Sequence, residues 1–266
     1  VRAGHRRRCA GRTSSRGLIV TAQMVTPVQW RTPCLGVRRR WGALVLAAVA
    51  AAAAVRAGAE ATSAPGPAQV QPETMSVLAG LTVIHDRPRP GGYDRSCRAG
   101  HLCVFGPAWS DDVDVAGGHN GCDARNDILA RDLTGVETKA GTHGCVVVAG
   151  TLRDPYTGQM VRFTQAEAGA VNIDHVLPLA AAWDLGAWRW TRQRRQDFAN
   201  DPRNLVAVTA SVNLAKGDRM PGEWTPPTDA GRCLYGQRYV TVAAAYGLPI
   251  TVRDKAQLLA DLQACA

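Results

Sequence analysis

Asp174 and His175 stand side by side in the run Val171-Asn172-Ile173-Asp174-His175-Val176, and Asn204 and Asn213 follow downstream. A carboxylate, an imidazole and an amide oxygen are the groups needed to cut a phosphodiester. The carboxylate holds a hard cation, the cation offsets charge growing on the phosphorane, and an imidazole of pKa roughly 6.5 takes a proton from water. Asn213 adds a neutral oxygen, which suits Mg²⁺ or Mn²⁺ better than Zn²⁺. Neighbouring side chains on a strand leave by opposite faces unless the strand ends or bends, and Pro178 ends this one. Asp174 and Asn213 are read as the metal ligands and His175 as the base.

Those residues need a strand, a connection, a second strand and a helix to bring them together. Val171 to Val176 supplies the first strand and Asn204 to Thr209, after the Asp201-Pro202 turn, the second. Ser211 to Lys216 opens a helix, and residues 179–188 and 191–199 form two more between the strands. Upstream, Gly121 to Leu133 has Ile128, Leu129 and Leu133 at helical spacing with Asp123 at the start. Residues 145–152 and 160–164 read as a hairpin around Asp154-Pro155-Tyr156-Thr157-Gly158. The expected class is α+β, in one domain.

The formal charge of +9 is misleading. Eleven Arg and one Glu fall within residues 1–61, leaving 20 Lys and Arg against 21 Asp and Glu for residues 62–266. The folded part is nearly neutral, so overall charge gives no argument for a nucleic acid. The basic excess instead heads an export signal: Arg38-Arg39-Arg40, the apolar run Trp41 to Val55, then Ala59-Glu60-Ala61. Residues 1–61 are expected to be a signal region in which translation starts later than Val1, at Met24. Residues 62–73 are a Pro-rich linker, and residues 74–266 the domain. Six of the eight cysteines lie beyond the signal, an even number that fits disulfides in an oxidising compartment. No Cys-x-x-Cys pair suggests zinc. Sequence proximity suggests pairing 97 with 103, 122 with 145 and 233 with 265.

The sequence DHVLPL at 174–179, Asn204 in NLVAVT and the run Asn213 to Asp218 resemble the HNH endonucleases of the ββα-metal, or His-Me finger, superfamily. The resemblance implies that His175 is the general base, that Asp174 and Asn213 bind the metal, and that Asn204 braces the connection between the strands. It also implies that Lys216 lies near the scissile phosphate. Gly92-Tyr93-Asp94-Arg95, Phe105-Gly106-Pro107-Ala108-Trp109, GCDARNDILARDL and Glu223-Trp224-Thr225-Pro226-Pro227 are similar to secreted bacterial proteins of this kind. These in turn resemble the C-terminal nuclease domain of GmrSD-type restriction enzymes. The resemblance spans roughly residues 91–265 and implies a ββα-metal core inside a disulfide-braced domain. The stretch Cys97 to Cys103 departs from it as an insertion.

The substrate expected on this reading is nucleic acid, DNA rather than RNA, cut by an exported monomer that keeps no membrane insertion once the signal is removed. Arg189, Arg192, Arg194, Arg195, Arg203, Lys216 and Arg219 offer a phosphate rim, or else a solvated face. Trp183, Trp188, Trp190 and Trp224 offer base stacking, or else core. The alternative function is an HNH-scaffold binding module of the cell envelope that no longer cuts, and a third is a phosphodiesterase for small substrates.

Overall fold

Leu205-Val206-Ala207-Val208 has no polar residue in alternation, and a strand of that kind has to be covered on both faces. The computed structural model describes residues 72–263 and 265 and covers it in that way. Elements are numbered in chain order. Strand β5 (Val171–His175) pairs antiparallel with β6 (Leu205–Thr209), Val171 opposite Thr209 and His175 opposite Leu205. Leu205, Ala207, Val171 and Ile173 enter one core with Ile128, Leu129 and Phe163. Val206 and Val208 enter a larger core with Tyr156, Phe198, Tyr235 and Tyr239. The ribbon is the wall between two cores, and residues adjacent on β5 serve different ones.

The smaller core is closed by helix α2 (Ala124–Asp132) and a three-stranded antiparallel sheet in the order β2 (Leu133–Thr138), β3 (Val147–Arg153), β4 (Met160–Thr164). The expected helix is α2, capped by Asp123, whose carboxylate accepts from Asn126 N at 2.9 Å. Leu133 ends up in β2 rather than in the helix, because its strand finds a partner in β3 that helical spacing alone does not reveal. The expected hairpin is β3–β4. Asp154 at its turn is fully buried, accepting from Tyr156 N and Thr157 N and, across to the ribbon, from Thr209 N at 2.7 Å. That last bond fastens the hairpin turn to the end of β6.

The larger core is closed by α1 (Pro72–Gly80), α3 (Leu179–Leu185), α4 (Arg192–Asn200), α5 (Ala210–Lys216), α6 (Asp229–Tyr246) and α7 (Val252–Gln263). Two short strands, β1 (Val83–Ile84) and β7 (Ile250–Thr251), pair in parallel. The helix expected over 179–188 stops at Gly186, whose φ of 135° no L side chain adopts readily, and a 3₁₀ turn (Ala187–Arg189) follows. Three disulfides join Cys97 to Cys103, Cys122 to Cys145 and Cys233 to Cys265, pairing the cysteines as their proximity suggests. The described residues thus form a mixed α/β fold braced by disulfides. The expected signal region and all but the end of the expected linker lie outside the described residues, and α1 begins at Pro72.

Candidate active site

Where β5 ends, Asp174 and His175 turn into different surroundings. Asp174 points to the larger core, where Tyr156 Oη donates to Oδ2 at 3.0 Å and Lys216 Nζ donates to Oδ1 at 2.8 Å. Lys216 has no exposed surface, and its ammonium also donates to the His175 carbonyl at 2.7 Å. Burial raises the Tyr156 phenol well above its usual range, and the neighbouring carboxylate raises it further, so this hydroxyl stays a donor. Asp174 is therefore one half of a buried ion pair with each oxygen engaged. The ammonium of Lys216, which the resemblance sets near the scissile phosphate, is buried against Asp174 and the His175 carbonyl.

His175 points the other way. Its Nε2 lies 2.8 Å from the carbonyl of Ala199, in the last turn of α4, where helix carbonyls lack intrahelical partners. A carbonyl only accepts, so Nε2 carries the proton and the ring's lone pair sits on Nδ1. Trp109 stacks on the imidazole with centroids 6.0 Å apart and planes 14° from parallel. Trp109 holds this position at φ 58°, the left-handed region that a bulky residue enters only when its surroundings force it. Burial, aided by the nearby Arg95 and Lys216 charges, lowers the His175 pKa to about 3, against the Ala199 hydrogen bond, which raises it. The ring is neutral at physiological pH.

Asn204 fixes the turn out of β5. It is fully buried, Oδ1 accepting from Leu177 N at 2.8 Å and Nδ2 donating to Leu177 O at 3.2 Å, while its own carbonyl accepts from Val176 N at 2.8 Å. Arg125, from α2, secures the other end of the strand by donating to Val171 O and Ala168 O.

A cleft of about 300 Å³ opens beside these groups, lined by Tyr93, Arg95, Asp174, His175, Asn213 and Asp218 among others. A smaller cavity of about 130 Å³ shares Arg95 and His175 with it and adds Trp109, Phe105 and Asn200. The structure thus brings Asp174, His175 and Asn213 to one cleft, with Asn204 behind them and Lys216 beneath. Among the described residues no three His, Cys, Asp or Glu side chains are grouped as a metal cluster.

The basic run between the strands does not form a rim on this cleft. Arg194 donates to Tyr246 O and lies over Trp190, Arg195 donates to Val104 O and Trp190 O, and Arg203 is clamped on Asp201. Trp183 and Trp190 pack among Phe105, Phe198 and Tyr246 as core residues. Residues that the sequence does not single out take these places: Arg95 is the cation on both cavities, and Trp109 is the aromatic on His175. The signal was present only as the short motifs GYDR and FGPAW.

Residues 123–261, just over half of the chain, match the family described as GmrSD restriction endonucleases, C-terminal domain. The chain belongs to that family. The GmrSD C-terminal segment so defined includes β5, β6 and α5, with Asp174, His175, Asn204, Asn213 and Lys216, but begins after Arg95 and Trp109. A relative described as an uncharacterized secreted protein, from Arthroderma benhamiae, is 38% identical over 192 residues, which is 71% of this chain and 83% of its own length. This relative is fungal, where the resemblance in the sequence pointed to bacterial proteins.

Proposed function

We propose that the chain is an exported endonuclease of the HNH, ββα-metal type that hydrolyses phosphodiester bonds in DNA, with His175 as the general base. The observation that carries the reading is the state of His175. Its Nε2 is committed to Ala199 O and its ring is neutral, so Nδ1 offers a free lone pair at the cleft that also holds Asn213. A base with so low a pKa is weak by itself. A phosphate entering the cleft brings negative charge that favours the imidazolium and strengthens the base as substrate binds.

The order β5, β6, α5, with Asn204 clasping the exit of β5, supports the ββα reading. The family's description as restriction endonucleases supports a DNA substrate. Asp174 and Asn213 are the residues that would hold a divalent cation. Each Asp174 oxygen keeps a lone pair beyond its bond to Lys216 or Tyr156, and Mg²⁺ is satisfied by one or two carboxylates with water and phosphate completing its shell. Such an ion supplies charge stabilisation on the phosphate. Asn204 and Lys216 act on this chemistry only by holding the backbone of residues 175–177 and the Asp174 carboxylate in place. The protein acts outside the cell. Its disulfides need an oxidising compartment, no described helix is long and apolar enough to cross a membrane, and the fungal relative is described as secreted.

One observation favours the second reading, a binding module that no longer cuts. The Asp174 carboxylate is already neutralised by Lys216, as in a purely structural ion pair. Incubating the purified disulfide-bonded protein with plasmid and with RNA, across Mg²⁺, Mn²⁺ and Zn²⁺, separates the two. Cleavage by the native chain that falls at least 10²-fold in His175→Ala supports the nuclease. Equal cleavage by both proteins refutes His175 as base, and no cleavage with any metal favours the module.

A further inference from the structure

Several basic side chains near the cleft are already engaged within the fold. Lys216 is sealed under Asp174, and Arg219 donates to Lys216 O. Arg87 is held by Asp184 and by Asp218, the exposed acid of the cleft. A site that handles a phosphodiester needs a positive donor in reach of its oxygens, and a guanidinium fits them with a fork of N–H groups.

Arg95 has the required properties. It is exposed, it lines both cavities that meet at His175, and among the described residues its guanidinium makes no hydrogen bond or ion pair. The nearest acid in sequence does not neutralise it. Asp94 is turned into its own loop, accepting from Ser96 N at 3.1 Å, Leu102 N at 2.9 Å and His101 Nδ1 at about 3.0 Å. The backbone on either side of Arg95 is tied down: Val104 N donates to Asp94 O and Cys103 N to Ser96 O, both at 3.0 Å, and the Cys97–Cys103 disulfide closes the loop. A long flexible side chain therefore leaves from a backbone that cannot drift. This arm lies ahead of the segment that matches the family.

We propose that Arg95 is the phosphate seat of the cleft: its guanidinium receives the non-bridging oxygens of a polynucleotide phosphodiester laid against His175, and the disulfide loop fixes where that phosphate sits. The proposal rests on the nucleolytic reading for the identity of the substrate, so its test measures binding and not cleavage. The full disulfide-bonded chain carrying His175→Ala is titrated into fluorescein-labelled single- and double-stranded DNA from 50 to 200 mM salt and read by fluorescence anisotropy. Arg95→Ala on that background is expected to weaken binding about tenfold and to flatten the plot of log K against log salt by roughly 0.7 for single strands or 0.9 for duplex, the loss of one phosphate contact.

Arg95→Lys keeps the charge without the fork, so its salt slope stays while affinity falls between native and Ala. Arg162→Ala removes an exposed cation of β4 away from the cleft and is expected to leave affinity and slope unchanged. Because Arg95 makes no internal bond, Arg95→Ala should melt with the parent. The proposal is overturned if Arg95→Ala binds like its parent, if Arg162→Ala loses as much, or if the unmodified chain shows no salt-dependent binding. Loss of binding in Arg95→Ala together with a native chain that cuts nothing keeps the proposal and sinks the nuclease. Cleavage by a protein whose binding ignores Arg95 does the reverse.

Discussion

Lys216→Met tests whether the ammonium is a structural counter-ion or a contact to substrate. The side chain is fully buried and Asp174 nearly so, with 2.8 Å between charged atoms. Removing the cation leaves a carboxylate in the larger core with the Tyr156 hydroxyl as its remaining partner, and strands the His175 carbonyl that Lys216 also serves. Breaking one side of a buried pair costs about 3–5 kcal/mol, because the desolvated charge left behind is uncompensated. For a domain of this size each kcal/mol moves Tm by about 2–4 °C, so the variant is expected to melt about 10 °C lower. The double variant Lys216→Met, Asp174→Asn removes the orphaned charge and should recover most of the loss, a coupling that a double-mutant cycle reads directly. Thermal melts by circular dichroism in EDTA keep added metal out of the comparison. A Lys216→Met protein that melts within 2 °C of the parent, or a double variant no better than the sum of the singles, refutes the ion pair as a fold-stabilising element.

The His175 environment predicts a pH dependence of stability. The folded ring titrates near 3 and the unfolded one near 6.5, so below 6.5 the unfolded chain takes up a proton that the folded chain refuses until about pH 3. Stability is therefore lost as pH falls through that window, by about 2 kcal/mol between pH 7 and pH 5 in metal-free buffer. Urea midpoints should show that loss in the native chain beyond whatever His175→Asn shows, and parallel losses in the two proteins would contradict it. Asn204→Ala deletes both bonds to Leu177 inside a fully buried site and is expected to cost about 2–4 kcal/mol. A melting temperature within 2 °C of the parent would show that the turn after His175 holds without it.

What the sequence made legible was the part of the site governed by local periodicity. The apolar runs either side of a Pro-containing connection gave β5 and β6, the helix after them became α5, and cysteines near in sequence proved near in space. The illegible part depended on long-range burial. Lys216 reads in the sequence as part of a phosphate rim or of a solvated face, yet the larger core takes it in and its ammonium lies on Asp174. Tyr156 reads as a turn residue and becomes a buried donor, because Asp154 bonds to Thr209 N and draws the hairpin turn against the ribbon. The 18-residue α6 is amphipathic only weakly, and nothing in its pattern announces that Tyr235 will pack against Tyr156. Arg194 and Arg195 look like a phosphate rim from composition, but their donors are spent on carbonyls of Tyr246, Val104 and Trp190.

The alternation of β5 gives the site two halves that rest on different supports. Asp174 is held from the larger core by Tyr156 and Lys216, and His175 by the C-terminal turn of α4, all within the segment that defines the family. Arg95 and Trp109 come from the arm ahead of that segment, one residue exposed and unpaired, the other strained and stacked on the imidazole. Buried, mutually bonded groups set the geometry of the base and cannot adapt to a substrate without unfolding their core. The loop that carries Arg95 is closed by its own disulfide and a pair of backbone bonds, while the rest of the arm is tied to the larger core: Phe105 packs on Trp183 and Phe198, and Val104 O accepts from Arg195. On the proposed reading, Arg95, exposed and held by no internal bond, is therefore the group of the site most able to follow the phosphate it meets.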